Sequence, residues 1–110
     1  MAVDQSYVQF VVDQLAEFDT VETRNMFGGV GIYKDGIMFG LIGNDKFYLK
    51  AGESNVGDYE AVGMKAFMSD RKGKGMPYYE VPADVLEDAG VLKIWAAKSF
   101  AVAQHAKTRK

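Results

Sequence analysis

The 110-residue chain has no cysteine. That excludes a disulfide scaffold, thiolate metal sites and thiol catalysis. It has one histidine, His105. A lone histidine lacks the companions of a metal centre or a catalytic triad, and this one reads as a surface residue near the C-terminus. An excess of positive charge is also missing: 13 Lys and Arg stand against 15 Asp and Glu, for a net charge of -2 and a pI near 5.3. A protein that holds DNA mainly through its phosphates is usually basic, so the chain as a whole lacks that electrostatic footprint. A local basic patch stays open. No run approaches the roughly 20 apolar residues that span a bilayer. The N-terminus, MAVDQSYVQFVVDQ, carries acid early and has no basic region of the kind that opens a signal peptide. A soluble cytoplasmic protein is the expectation. With 48% hydrophobic and 25% charged residues, the chain reads as one domain over residues 1–110 with a single core.

Glycine is what the chain has in number. Half of its 12 glycines (28, 29, 31, 36, 40 and 43) fall between Arg24 and Lys50, among β-favouring residues. The pattern predicts a tightly turned, three-stranded antiparallel meander whose first strand begins at Met26-Phe27. Asp35-Gly36 marks a two-residue hairpin turn, because a type I′ turn needs positive φ. Folding there would pair Ile32 with Phe39 and Val30 with Leu41, all on the core face. A three-residue second turn, Gly43-Asn44-Asp45, would add Phe47 and Leu49 to that face. The opposite face would carry Gly29, Gly31 and Gly40 with Tyr33, Met38 and Ile42. Glycine within a strand marks a bulge, a bend or a close approach of backbone.

Apolar spacing predicts an amphipathic helix over residues 4–18, with Tyr7, Val11, Leu15 and Phe18 inward. A short helix over residues 54–63 would start at a Ser54 cap and stop at Gly63. Residues 65–69 and 76–81 read as two strands joined by the polar loop DRKGKG. Pro82 opens a final helical region, with residues 83–86 as a separate turn and a break at Gly90. Val91, Leu92, Trp95, Ser99, Val102, Ala103 and Ala106 form its core stripe, and the last six residues are expected to fray.

Few residues offer chemistry. The GGVG run leads into a hairpin and not into a helix N-terminus, so it reads as a bent strand and not a phosphate cradle. Five of the six methionines (26, 38, 64, 68 and 76) lie inside predicted elements and read as core packing, although methionine-rich surfaces also bind partners. Arg24 could recognise a carboxylate or phosphate, or pair with Glu22 or Asp19. Arg71, Lys72 and Lys74, followed by Tyr78 and Tyr79, form a weak nucleic-acid cue that reads first as a solvated loop. Ile94 and Phe100 fall off the final helix's stripe. They suggest burial by a partner or second copy, against an unusually wide core contact.

The segments Arg24 to Tyr33, Gly36 to Ile42, Phe47 to Ala51 and Met76 to Pro82, with the Leu86 to Trp95 region, resemble the TfoX N-terminal domain family over nearly the whole chain. The carriers are MFGG, MFGLI, YLK and YYEVP in combination. The resemblance implies a bacterial, two-layer α+β fold like that of secretion chaperones: helix, three-stranded meander, helix, two strands, helix. It also implies a non-enzymatic role. Full-length TfoX, also called Sxy, regulates competence for DNA uptake with the cyclic-AMP receptor protein. Full-length members carry a further helical domain, so the expectation is a stand-alone N-terminal domain or a fragment.

Three functions remain. First comes a regulatory, non-catalytic interaction module, as a homodimer or with a protein partner such as that receptor, without cofactor or metal. Second is direct nucleic-acid binding through Arg71, Lys72, Lys74 and the basic C-terminus. Third is a small-ligand site near Arg24 and Tyr33.

Overall fold

A computed structural model describes residues 4–26, 29–43, 46–64, 66 and 77–108. The order is α1 (Gln5–Leu15), β1 (Glu22–Met26), β2 (Gly29–Lys34), β3 (Ile37–Gly43), β4 (Lys46–Lys50), α2 (Val56–Glu60), β5 (Tyr78–Glu80), α3 (Ala83–Leu86) and α4 (Ala89–Thr108). The fold is α+β: an N-terminal helix, a five-stranded antiparallel sheet in the order β1-β2-β3-β4-β5, and a long C-terminal helix packed on the sheet. The expected five strands are distributed differently, four in the meander and β5 beyond α2. The meander starts earlier because Glu22 to Met26 already pairs with β2. Of the strand expected over residues 65–69, Ala66 bridges Tyr79 and the remainder lies outside the described residues.

The first hairpin turns where expected. Asp35 (φ 53°) and Gly36 (φ 78°) both take the left-handed conformation a two-residue turn requires. The pairing beyond it is corrected by a β-bulge. Tyr33 faces Met38, yet Ile32 faces Gly40, so Phe39 is the extra residue. Val30 therefore pairs with Ile42, and Leu41 moves to the opposite face beside Gly31. The second turn is one residue shorter than expected, since Gly43 pairs with Lys46. The two departures offset each other: with Leu41 flipped by the bulge, a two-residue connection is what keeps Phe47 and Leu49 inward. Gly40 accompanies Phe39 on the inner face. A Cβ there would lie 3.0 Å from the Tyr48 carbonyl oxygen and 3.2 Å from the Phe47 ring.

The inner face (Val30, Ile32, Phe39, Ile42, Phe47 and Leu49) is buried under the helices. Each such side chain removed from water contributes about 1.5–3 kcal/mol. In α1, Val8, Val11 and Leu15 face the core, and the Asp4 carboxylate caps the helix by accepting from the Ser6 N–H at 3.0 Å. α2 has Asn55 and not Ser54 at its N-cap position, ends at Glu60, and is followed by a turn that closes at Gly63 (φ 77°), where the Gly63 N–H donates to the Glu60 carbonyl and the Met64 N–H to that of Tyr59. The break before α4 falls at Glu87-Asp88 and not at Gly90. Asp88 caps α4, its side chain accepting from the Val91 N–H at 3.2 Å. Leu92, Ala96, Ser99 and Ala103 form the buried stripe of α4; Trp95 and Val102 flank it, and Val91 lies outside it. One buried polar cluster ties α2 to α4. Asn55 accepts from the Gly52 N–H at 2.7 Å and donates to the Lys50 carbonyl at 3.2 Å, and the Tyr59 hydroxyl sits 3.4 Å from that of Ser99.

Candidate functional site

The pleat turns alternate residues of every strand to the outer face, away from the helices. That face carries Glu22 and Arg24 from β1, Gly31 and Tyr33 from β2, Met38 and Leu41 from β3, Tyr48 and Lys50 from β4, and Tyr78 and Glu80 from β5. Leu41, Tyr48 and Tyr78 are buried there as a second apolar cluster, with Met38 packed against it. Sequence reading missed this cluster because it placed Leu41 on the inner face. The signal was present in the alternation of KFYLK and YYE, which sets Tyr48 and Lys50 on one side with Tyr78 and Glu80.

Cations flank the aromatic patch. The Arg24 guanidinium lies over the Tyr33 ring, 4.6 Å from its centroid. The Lys50 ammonium lies 5.2 Å from the centroid of Tyr78. Arg24 opposes Gly31, whose missing side chain leaves the guanidinium free to lean across β2 onto Tyr33. No carboxylate among the described residues pairs with Arg24 or Lys50, whereas Lys46 reaches Glu80 at 3.8 Å. Burial pushes the Tyr78 phenol pKa up, and the nearby Tyr33 raises it further. Burial likewise raises that of Tyr48, with Glu80 adding to the effect. These phenols stay neutral at pH 7 and can donate hydrogen bonds; they are not activated nucleophiles.

The remaining candidate residues fall elsewhere. Ile94, on the outward side of α4, is 57% exposed, and Val91, one turn before it, is 37% exposed. Phe100 is half-buried: its ring lies 5.7 Å from Phe39 and 6.2 Å from Phe18, with the Lys34 ammonium 4.7 Å from its centroid. The structure therefore brings Phe100 to the core margin and leaves Ile94 in solvent. Arg71, Lys72 and Lys74 lie outside the described residues. Met64 packs on the main core and Met38 on the outer cluster. His105 is exposed. Among the described residues no group of three or more His, Cys, Asp or Glu is placed to hold a metal ion, and no helix is long and apolar enough to cross a membrane.

The helix-covered sheet, with its glycine-interrupted meander and its cation-flanked outer face, defines a small α+β domain. The chain belongs to the TfoX N-terminal domain family, whose model matches residues 13–103. That family is regulatory and not catalytic. No curated protein matches the chain.

Proposed function

We propose that this chain is a non-catalytic regulatory domain that works by contact with another protein, in the manner of the TfoX (Sxy) regulators of DNA competence. The family match over residues 13–103 carries the reading. The surface agrees with it. Arg24, Tyr33 and Ile94 stand where another chain could reach them, while the buried polar groups Asn55 and Ser99 are engaged internally. A net charge of -2 favours a protein over phosphate as the principal partner. The cyclic-AMP receptor protein is the partner the family resemblance suggests, and the cytoplasm is the compartment that fits it.

A second reading, direct nucleic-acid contact, draws support from the exposed Arg24 beside the partly exposed Tyr33 ring. A cation beside an accessible aromatic on a sheet face suits single strands. One experiment separates the two: fluorescence anisotropy of the labelled chain against purified cyclic-AMP receptor protein, duplex DNA and single-stranded DNA across a salt series. Saturable binding to the protein with little change in salt supports the regulatory reading. DNA binding that falls steeply with salt, without protein binding, replaces it with the second.

A further inference from the structure

Among the described residues β1 stands at an edge of the sheet, with β2 as its one strand neighbour, and the two pair without a register shift from Glu22↔Tyr33 to Met26↔Gly29. Residues 22–25 are exposed. Natural edge strands are commonly blunted by proline, by a bulge or by charged side chains; β1 has no proline and no bulge, and its two charges, Glu22 and Arg24, are of opposite sign. Half of an edge strand's backbone N–H and C=O groups point away from its sheet and can template a further strand.

We propose that β1 pairs antiparallel with β1 of a second copy of this chain, about a two-fold axis at Thr23. The proposal rests on the reading of the chain as an interaction domain and names its first partner. Residues directly opposite in an antiparallel pair share a face, so a two-fold axis must pass through a residue position. An axis at Glu22 sets glutamate against glutamate, and one at Arg24 sets arginine against arginine. An axis at Thr23 sets Glu22 against Arg24 of the second copy twice, with threonine facing threonine between them. Opposite charges and Thr–Thr pairs are favourable cross-strand neighbours, and like charges are not.

The structure supplies both halves of the charge pair unengaged. Glu22 and Arg24 are exposed, lie on the same outer face and have no ion-pair partner among the described residues. The Arg24 guanidinium lies over the Tyr33 ring and meets no carboxylate among the described residues, which leaves its N–H groups available to one on a second copy. Two five-stranded sheets joined in this way form one continuous sheet with all helices on the same side. The two outer faces then become a single surface centred on the paired Arg24 and Tyr33 residues.

Sedimentation equilibrium on wild type, Glu22→Arg, Arg24→Glu and the double exchange tests the geometry. Both sites are exposed, and circular dichroism checks that each variant is folded. The wild type is expected to dimerise, and each single exchange to weaken the dimer roughly tenfold or more, because it sets two like-charged pairs opposite one another. The double exchange restores the dimer. So does an equimolar mixture of the two single variants, in which the paired arginines of one chain meet the paired glutamates of the other. A monomeric wild type overturns the proposal. So does a dimer indifferent to both single exchanges, or a double exchange as weak as either one. Anisotropy with the cyclic-AMP receptor protein, run on the same samples, separates the outcomes: persistent binding there preserves the regulatory reading when the β1 dimer fails.

Discussion

Replacing Phe100 by alanine should unfold the domain more readily, whatever it does to partners. The ring packs against Phe18 and Phe39, edge-on to the latter at 5.7 Å and 89°, and Lys34 sits over it. Removing a fully buried phenylalanine costs about 3–5 kcal/mol. Phe100 is only half-buried, which lowers that cost, while two aromatic pairs worth about 0.5–1.5 kcal/mol each are lost with the ring. The net expectation is about 2–4 kcal/mol, or a fall in Tm of about 10–15 °C for a domain this small. Ile94→Ala is the matched control. At 57% exposed it should change stability by no more than about 0.5 kcal/mol. Urea unfolding followed by circular dichroism measures both variants. Phe100→Ala within about 0.5 kcal/mol of wild type would refute the packing argument and return Phe100 to the surface as a contact residue.

Three further outcomes are expected. Asn55→Ala removes the acceptor for the Gly52 N–H and the donor to the Lys50 carbonyl, and should cost about 2–3 kcal/mol in the same unfolding assay. Gly40→Ala drives a methyl toward the Tyr48 carbonyl oxygen at 3.0 Å and should destabilise by about 1–3 kcal/mol, with loss of slow hydrogen exchange in β3 and β4. Burial raises the Tyr59 phenol from 10.0 to about 12, against the opposing hydrogen bond from Ser99. Between those values the native state keeps a proton that the unfolded chain releases. The contribution, about 2–3 kcal/mol, is therefore whole below pH 10 and lost as the pH rises to about 12. Tyr59→Phe should flatten that alkaline decline in a denaturation series against pH.

The fold class could be read from the sequence because its strongest signals are local. Asp35-Gly36 turns the first hairpin, Gly63 closes the turn after α2, and the spacing of Val11 and Leu15 turns one side of α1 inward. What escaped was register. A bulge adds one residue without changing composition, so nothing in IMFGLIG distinguishes Phe39 as the extra residue from Phe39 as an ordinary strand position. That single residue decides whether Leu41 joins the main core or the outer cluster with Tyr48 and Tyr78. The candidate site depended on the same count. Arg24 was visible as a lone cation, but its place above Tyr33 required the register of β1 on β2. Phe100 and Ile94 shared one inference from the helical wheel, yet they part in the fold. The wheel does not show that the core margin extends to Phe18 and Lys34 on one side of α4 and not to the other.

The central claim is that this domain acts through protein contacts at its outer sheet face and exposed edge. Nuclear magnetic resonance on the isotope-labelled chain tests it most directly, titrating in turn with the cyclic-AMP receptor protein and with duplex DNA at about 150 mM salt. The claim requires amide shifts with the protein, concentrated at the outer-face residues Arg24, Tyr33 and Lys50, and none of that pattern with DNA. Shifts at Arg24 and Lys50 with DNA alone, collapsing as salt is raised, would contradict it.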